Sequence, residues 1–184
     1  MASIRRNTIQ VNIVRILPQL KELASRVPEN SPFTDRHGRL LNLVTSNIDE
    51  DMMKVLFQFF DPLHHCFTFP DYQLVPTMDE LFQLLRIPIL NQLPFNGMER
   101  DPKPEEIAQA LRLHSSDVTT HWETRSGVKG FLAKFLFKKA QSCWNSLDLQ
   151  AFEEIVALFI YGMVLFPNPD QLIDVNAVNF FKIL

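Results

Sequence analysis

The sequence predicts a mainly α fold, an irregular multi-helix domain with a small β-hairpin around residues 65–76. Three observations lead there. Apolar residues recur at helical spacing in several stretches of the 184-residue chain, as at Val14, Leu17, Leu20, Leu23, Ala24 and Val27. The stretch from His65 to Val75 alternates instead with the two-residue period of a strand, broken by a Pro70-Asp71 turn. Hydrophobic residues make up 46% of the chain, with 16 Phe but only 5 Gly and 2 Tyr, a composition that favours a helical core over a Gly-rich barrel.

A chain of this length is expected to form one domain, or one domain with an arm. The reading here is an N-terminal helical arm over 1–45 and a helical domain over 46–184. Such a chain buries roughly two-thirds of its unfolded surface and needs no disulfide or metal staple.

The elements follow in order. A first helix is expected over Val11–Val27, with Pro18 forcing a late start or a kink because its ring clashes with the preceding turn. The segment PENSPF from Pro28 to Phe33 reads as a loop, and Leu40, Leu41, Leu43 and Val44 as a short helix. Asn47 or Asp49 is expected to cap the next helix, where Asp49, Glu50 and Asp51 suit the positive end of the helix dipole. After the hairpin, Thr77-Met78-Asp79-Glu80 has the spacing of a capping box, with Leu81, Leu84 and Leu85 inward and Pro88 as the stop.

Residues 90–101 read as irregular, and Pro104 as the first residue of a helix carrying Ile107, Ala110 and Leu111. Ser115 or Ser116 is expected to cap a short helix reaching Trp122. Gly127 and Gly130 punctuate the entry to a long helix from Phe131, whose polar face holds Lys134, Lys138, Gln141 and Asn145. Asp148 caps a core helix that ends before Pro167-Asn168-Pro169, and Asp174 starts a last one. That helix runs to Leu184 without a polar tail, so the sequence reads as a piece of a longer protein.

The net charge of −3 hides segregation. Residues 1–40 carry seven bases and three acids, 41–120 five bases and twelve acids, 121–144 five bases and one acid, and 145–184 one base and five acids. Binding nucleic acid along the whole chain calls for a strongly basic balance, which is absent. Pairing of basic with acidic segments inside the molecule is the expectation.

Cys66 and Cys143 lie far apart without CxxC spacing, which predicts two reduced thiols in an intracellular compartment. The N-terminus is too interrupted by polar residues for a secretory signal. The longest apolar run, Ile155–Phe166, is shorter than the about 20 residues needed to cross a membrane. No membrane partner is expected.

Candidate chemistry is thin. His64, His65 and Cys66 with Cys143 suggest zinc, but neighbours on a strand point to opposite faces and cannot converge on one ion. The same geometry weakens a Cys66–His65 nucleophile pair. Acid pairs at Asp79/Glu80 and Glu105/Glu106 fall in first turns of helices, where the dipole accounts for them; Glu153/Glu154 is a third pair. Phosphate-binding, dinucleotide, zinc-protease and serine-hydrolase motifs are all missing. Arg125, Lys129, Lys134, Lys138 and Lys139 beside Phe131, Phe135 and Trp144 form a basic–aromatic mixture of the kind that contacts single strands. The Phe spacing continues with Leu, which is core behaviour, so these five residues mark an alternative nucleic-acid-binding face.

The block CFTFPDYQLVPTMDELFQLLRIPI, Cys66–Ile89, resembles the opening motif of the plant mobile domain: Phe67–Pro70 match its strand, Thr77–Leu81 its cap, and Leu84–Ile89 its stop. Phe60–Thr77, Asn91–Gly97, Trp122–Phe131 and Leu165–Val178 are similar to segments of an uncharacterised legume domain related to that family. The resemblance implies a mostly helical domain of transposon or retroelement origin, associated with gene silencing in the nucleus. The family's aminotransferase-like label finds no support, since no Lys stands in a cofactor context and no Gly-rich phosphate cradle exists. Arg86 stands where the wider family has Gly, which suits a left-handed helix end, so this end is expected to be built differently.

The sequence thus predicts a non-enzymatic module without cofactor or metal. Protein partners or self-association are its expected interactions, with nucleic acid as the alternative and the nucleus favoured over the cytoplasm.

Overall fold

The structure, a computed structural model, describes residues 16–47, 49–61, 66–74, 77–87, 101–167 and 170–183. It is mainly α with two small three-stranded antiparallel sheets, β1-β2-β3 and β4-β5-β6. Helical residues 16–24 (α1) are followed by α2 (Phe33–His37), α3 (Asn42–Thr45) and α4 (Glu50–Phe57). The first sheet holds β1 (Phe60–Asp61), β2 (Cys66–Thr68) and β3 (Gln73–Leu74), and α5 (Met78–Leu85) follows. Next come α6 (Pro104–Leu111), α7 (Ser115–His121), β4 (Trp122–Arg125) and β5 (Val128–Leu132). The chain ends in α8 (Ala133–Asn145), α9 (Leu149–Ile160), a π-helical turn over Tyr161–Leu165, β6 (Leu172–Asp174) and α10 (Val175–Ile183).

The core is built around α9. Its residues from Ala151 to Ile160 are buried on almost every side apart from Glu154, as a helix apolar on nearly every face requires. Leu20, Leu23, Phe33 and Leu40 from the expected N-terminal arm belong to the same apolar cluster as Phe152, Phe159 and Phe180.

Several sequence expectations hold at the level of single hydrogen bonds. Asp49 accepts from the backbone N–H groups of Asp51 and Met52, both at 3.0 Å. Thr77 and Glu80 form the reciprocal capping box, and Asp148 accepts from Ala151 N–H at 3.1 Å. Pro104 opens α6 and Asp174 accepts from Ala177 N–H at 3.0 Å, near the start of α10. The expected hairpin pairs β2 with β3, and β1 adds a third strand.

Other elements differ. Neither Ser115 nor Ser116 caps α7: the helix begins at Ser115, with His114 in the capping position and no side-chain bond. The long helix starts at Ala133, because Val128–Leu132 form the central strand of the second sheet. Ser126 and Gly127, both with positive φ, make the two-residue turn of the β4–β5 hairpin. Gly130 lets β6 approach: a Cβ there would lie 2.2 Å from the Ile173 carbonyl oxygen. The Pro88 stop, residues 1–15 and most of the 90–101 loop lie outside the described residues.

Three helices end in Schellman turns built without glycine. In α5, Arg86 N–H donates to Gln83 O and Ile87 N–H to Phe82 O; Arg112 and Leu113 do the same at the end of α6, and Leu147 and Asp148 at the end of α8. Arg86, Arg112 and Leu147 take the left-handed conformation, with φ of 52°, 53° and 61°. The α5 end therefore keeps the left-handed geometry in spite of its arginine. Two of the three residues are cations beside the negative end of the dipole. Leu147 has no such benefit.

Candidate functional site

The first sheet exposes an aromatic surface. Register places Phe60 opposite Phe67 and Phe67 opposite Leu74, so the three side chains form one row across the same face. The Phe60 and Phe67 rings meet at 5.4 Å. Beside them runs a stack, Phe59 on Phe69 and Phe69 on Tyr72, each pair 4.8 Å between centroids. The turn carrying Tyr72 is closed by Phe69 N–H donating to Tyr72 O at 2.9 Å. Cys66 alternates away from Phe67 and is buried, with Sγ 3.6 Å from the Thr68 hydroxyl.

None of the five rings reaches the burial of the core, and Tyr72 and Leu74 are 61% and 53% exposed. In the second sheet Phe131, Leu172 and Ile173 are fully buried. One small sheet therefore serves the core, while the other presents apolar area outward. Met52 and Val55, one turn apart on α4, and Leu84 on α5 are exposed as well.

The five basic residues marked in the sequence divide into two groups. Arg125 pairs with Glu123 at 3.2 Å, Lys129 with Asp101 at 2.5 Å, and Lys139 with Asp117 at 2.6 Å. Lys134 and Lys138, one turn apart on α8, are exposed and have no ion-pair partner among the described residues. Phe131 is core, stacked on Phe135, which stacks on His121 at 4.0 Å. The aromatic rings of this region are thus used in packing, and two lysines are left on the surface.

A polar cluster inside the molecule was not legible beforehand. Arg36 Nη2 donates to Glu153 Oε2 at 2.8 Å, and Arg36 Nε lies 3.2 Å from Glu154 Oε1 without hydrogen-bond alignment. His37 Nε2 is 3.4 Å from Glu154 Oε2, also unaligned, while its Nδ1 faces the Tyr161 hydroxyl at 3.4 Å. Phe33 and Phe181 pack on the His37 ring. Burial, with the Glu154 carboxylate adding to it, pushes the Tyr161 phenol far above its ordinary range, so it stays protonated. Tyr161 is fully buried, and the cluster ties α2 to α9 from within. The available signal was Glu153-Glu154 inside the most apolar helix, since buried carboxylates require partners.

Among the described residues no group of three or more His, Cys, Asp or Glu is arranged to hold a metal ion, and no helix is long and apolar enough to cross a membrane. His64 and His65 lie outside the described residues. Burial raises the Cys143 thiol above its ordinary value, which disfavours the reactive thiolate.

A family model described as "Domain of unknown function (DUF7745)" matches residues 20–183. No curated protein matches the chain. No solved structure does either.

Proposed function

Since the chain belongs to the DUF7745 family of unknown function, we propose from its own surface that it is a non-enzymatic interaction module of a plant mobile-element-derived protein, acting in the nucleus in transposon or gene silencing. The observation that carries the interaction reading is the exposed aromatic sheet. Half-buried Phe rings flanked by the exposed Tyr72 and Leu74, while Phe131, Leu172 and Ile173 of the other small sheet are fully buried, mark a contact surface. The ancestry and setting rest on the plant-mobile-domain-like motifs between Cys66 and Ile89.

Direct nucleic-acid binding is the second reading, and the observation favouring it is the exposed Lys134/Lys138 pair. Its weakness is number, since Arg125, Lys129 and Lys139 already face carboxylates. The test is fluorescence anisotropy with labelled duplex DNA and single-stranded RNA between about 50 and 200 mM salt. The interaction reading predicts weak binding with a shallow salt slope. Tight, steeply salt-dependent binding lost in Lys134→Glu/Lys138→Glu would establish the second reading instead.

A further inference from the structure

The rings of the first sheet pack on one another and not on the core. Phe59, Phe69 and Tyr72 stack in series, Phe67 meets Phe60, and none of these belongs to the apolar cluster around α9. Between Val44 and Leu81 no described apolar side chain belongs to that cluster or packs against it. Cys66 is buried, yet it too lies outside the cluster. Met52 and Val55 on α4 are exposed. Among the described residues, α4 and the first sheet thus form a unit apart from the core, with α3 before it and α5 after it.

α5 is where this unit docks. Leu85 and Ile87 are buried in the core cluster, Leu81 and Phe82 pack against it, and the Phe82 ring stacks on Phe180 at 5.5 Å. The end of α5 is gripped by a segment far from it in the chain. Arg39 N–H donates to Leu85 O at 2.5 Å. Gly38, at φ +57°, lies so close that a Cβ would stand 2.3 Å from the Leu85 oxygen and 2.5 Å from that of Arg86. The two preceding residues are anchored elsewhere, Arg36 to Glu153 on α9 and His37 to the Tyr161 hydroxyl. Four consecutive residues therefore join the end of α5 to the buried polar cluster.

We propose that α4, the first sheet and α5 open from the core as one unit, and that Arg36–Arg39 are the latch that holds it shut. Segments with few buried apolar contacts open at a free energy below that of global unfolding. The contacts that must break are few: the Leu85 hydrogen bond, the approach of Gly38, the Phe82–Phe180 stack and the burial of Leu85 and Ile87. Strands of two and three residues do not hold without a helix to pack on, so release of α5 also uncovers Cys66. The cluster around α9 keeps its own packing through the opening. The aromatic surface accordingly sits on the part of the molecule that moves first, where binding elements are commonly found. The latch follows from packing alone and holds whichever partner the sheet takes.

The experiment is native-state alkylation of the purified chain with iodoacetamide in rising urea, with mass spectrometry locating the label. The two cysteines report the two parts, Cys66 in β2 and Cys143 in α8, both buried. Wild type is expected to label Cys66 faster than Cys143 and with a shallower urea dependence, because partial opening exposes less surface than global unfolding. Amide exchange in α5 is expected to share the Cys66 slope, since one event exposes both. Gly38→Ala sets a methyl against the Leu85 and Arg86 oxygens and should speed Cys66 labelling about tenfold or more. Should that variant fail to fold, Phe82→Ala replaces it. Gly162→Ala strains a part that stays folded in the open form, so it should speed Cys143 and leave Cys66 unchanged; Ile173→Val is its substitute. One common rate and slope for both thiols overturns the inference, as does α5 exchange that follows Cys143. A latch variant that leaves Cys66 unchanged overturns it, and so does a Gly162→Ala effect of equal size on both thiols.

Discussion

Arg36 and Glu153, 117 positions apart in the chain, meet at 2.8 Å, with Glu154 on the other side of the same guanidinium. The pair joins the basic first segment to the acidic last one. Lys139–Asp117 and Lys129–Asp101 likewise link segments of opposite sign, and Lys182, the single base of the last segment, pairs with Glu106. The segregated charge of the sequence is in large part folded onto itself.

Removing Arg36 leaves two adjacent carboxylates facing each other, with Glu153 nearly buried. Breaking a fully buried pair costs about 3–5 kcal/mol, and Arg36 is one-third exposed, so Arg36→Ala is expected to cost about 2 kcal/mol. Arg36→Lys should recover only part, because a point charge cannot serve both carboxylates. Urea unfolding followed by the fluorescence of Trp122 and Trp144 measures both. A loss below about 0.5 kcal/mol for Arg36→Ala would contradict this account of the cluster.

Gly162 in the π-helical turn lies under Ile173: a Cβ would stand 2.6 Å from both γ carbons of that side chain. Gly162→Ala is expected to destabilise by about 1–3 kcal/mol through overpacking. Ile173→Ala should relieve the clash, so the double variant loses less than the sum of the two. Gly130→Ala meets the Ile173 backbone oxygen instead, and Ile173→Ala should give it no relief. Equal coupling in the two cycles would show that the glycines are not held by these different contacts.

Much of this fold was legible because helix starts are set locally. Asp49, Thr77, Pro104 and Asp148 sit where the sequence placed them, since each acts on backbone within a few residues. The second sheet was obscured by Gly127 and Gly130, which look like helix punctuation. They serve instead as a hairpin turn and a close strand approach, and only the β6 partner, some forty residues later, reveals the second role. Arg36, His37 and Tyr161 were hidden for the same reason, because a buried polar cluster is made by distant segments. The basic face was visible as composition, but the acids that pair three of its five members lie outside the motif or opposite the expected helix.

Arg86 and Arg112 hold left-handed positions with no glycine. Arg86→Gly and Arg112→Gly should each stabilise the chain by about 0.5 kcal/mol, the relief of strain exceeding the added freedom of the unfolded chain. Thermal melting of each variant tests this, and a lower melting temperature for both would oppose it.

Two carboxylates shift in opposite directions. The Lys139 ammonium hydrogen-bonds Asp117 and holds its carboxyl below the ordinary range. Its folded value lies below the unfolded one, so the stabilisation is present at neutral pH and lost as pH falls through the folded value. Lys139→Met should cost up to about 1 kcal/mol near neutrality and nothing in strong acid. Burial raises Asp174 despite the backbone N–H groups of Ala177 and Asn176. A raised acid penalises folding at neutral pH, and the penalty fades as pH falls below the unfolded value. Asp174→Asn keeps a capping oxygen, so it should be stabilising at pH 7 and lose that advantage in acid. Urea unfolding across pH reads both signs, and parallel curves for variant and wild type would contradict them.

The central claim is that the aromatic sheet, and not the basic face of α8, carries the interaction. Its most direct measurement is quantitative capture from plant nuclear extract with three baits: wild type, Tyr72→Ser/Leu74→Ser, and Lys134→Glu/Lys138→Glu. The account predicts that the sheet variant loses the proteins held by wild type, while the lysine variant keeps most heterologous partners. Unchanged recovery with the sheet variant, together with loss in the lysine variant of partners that nuclease treatment also releases, would contradict it.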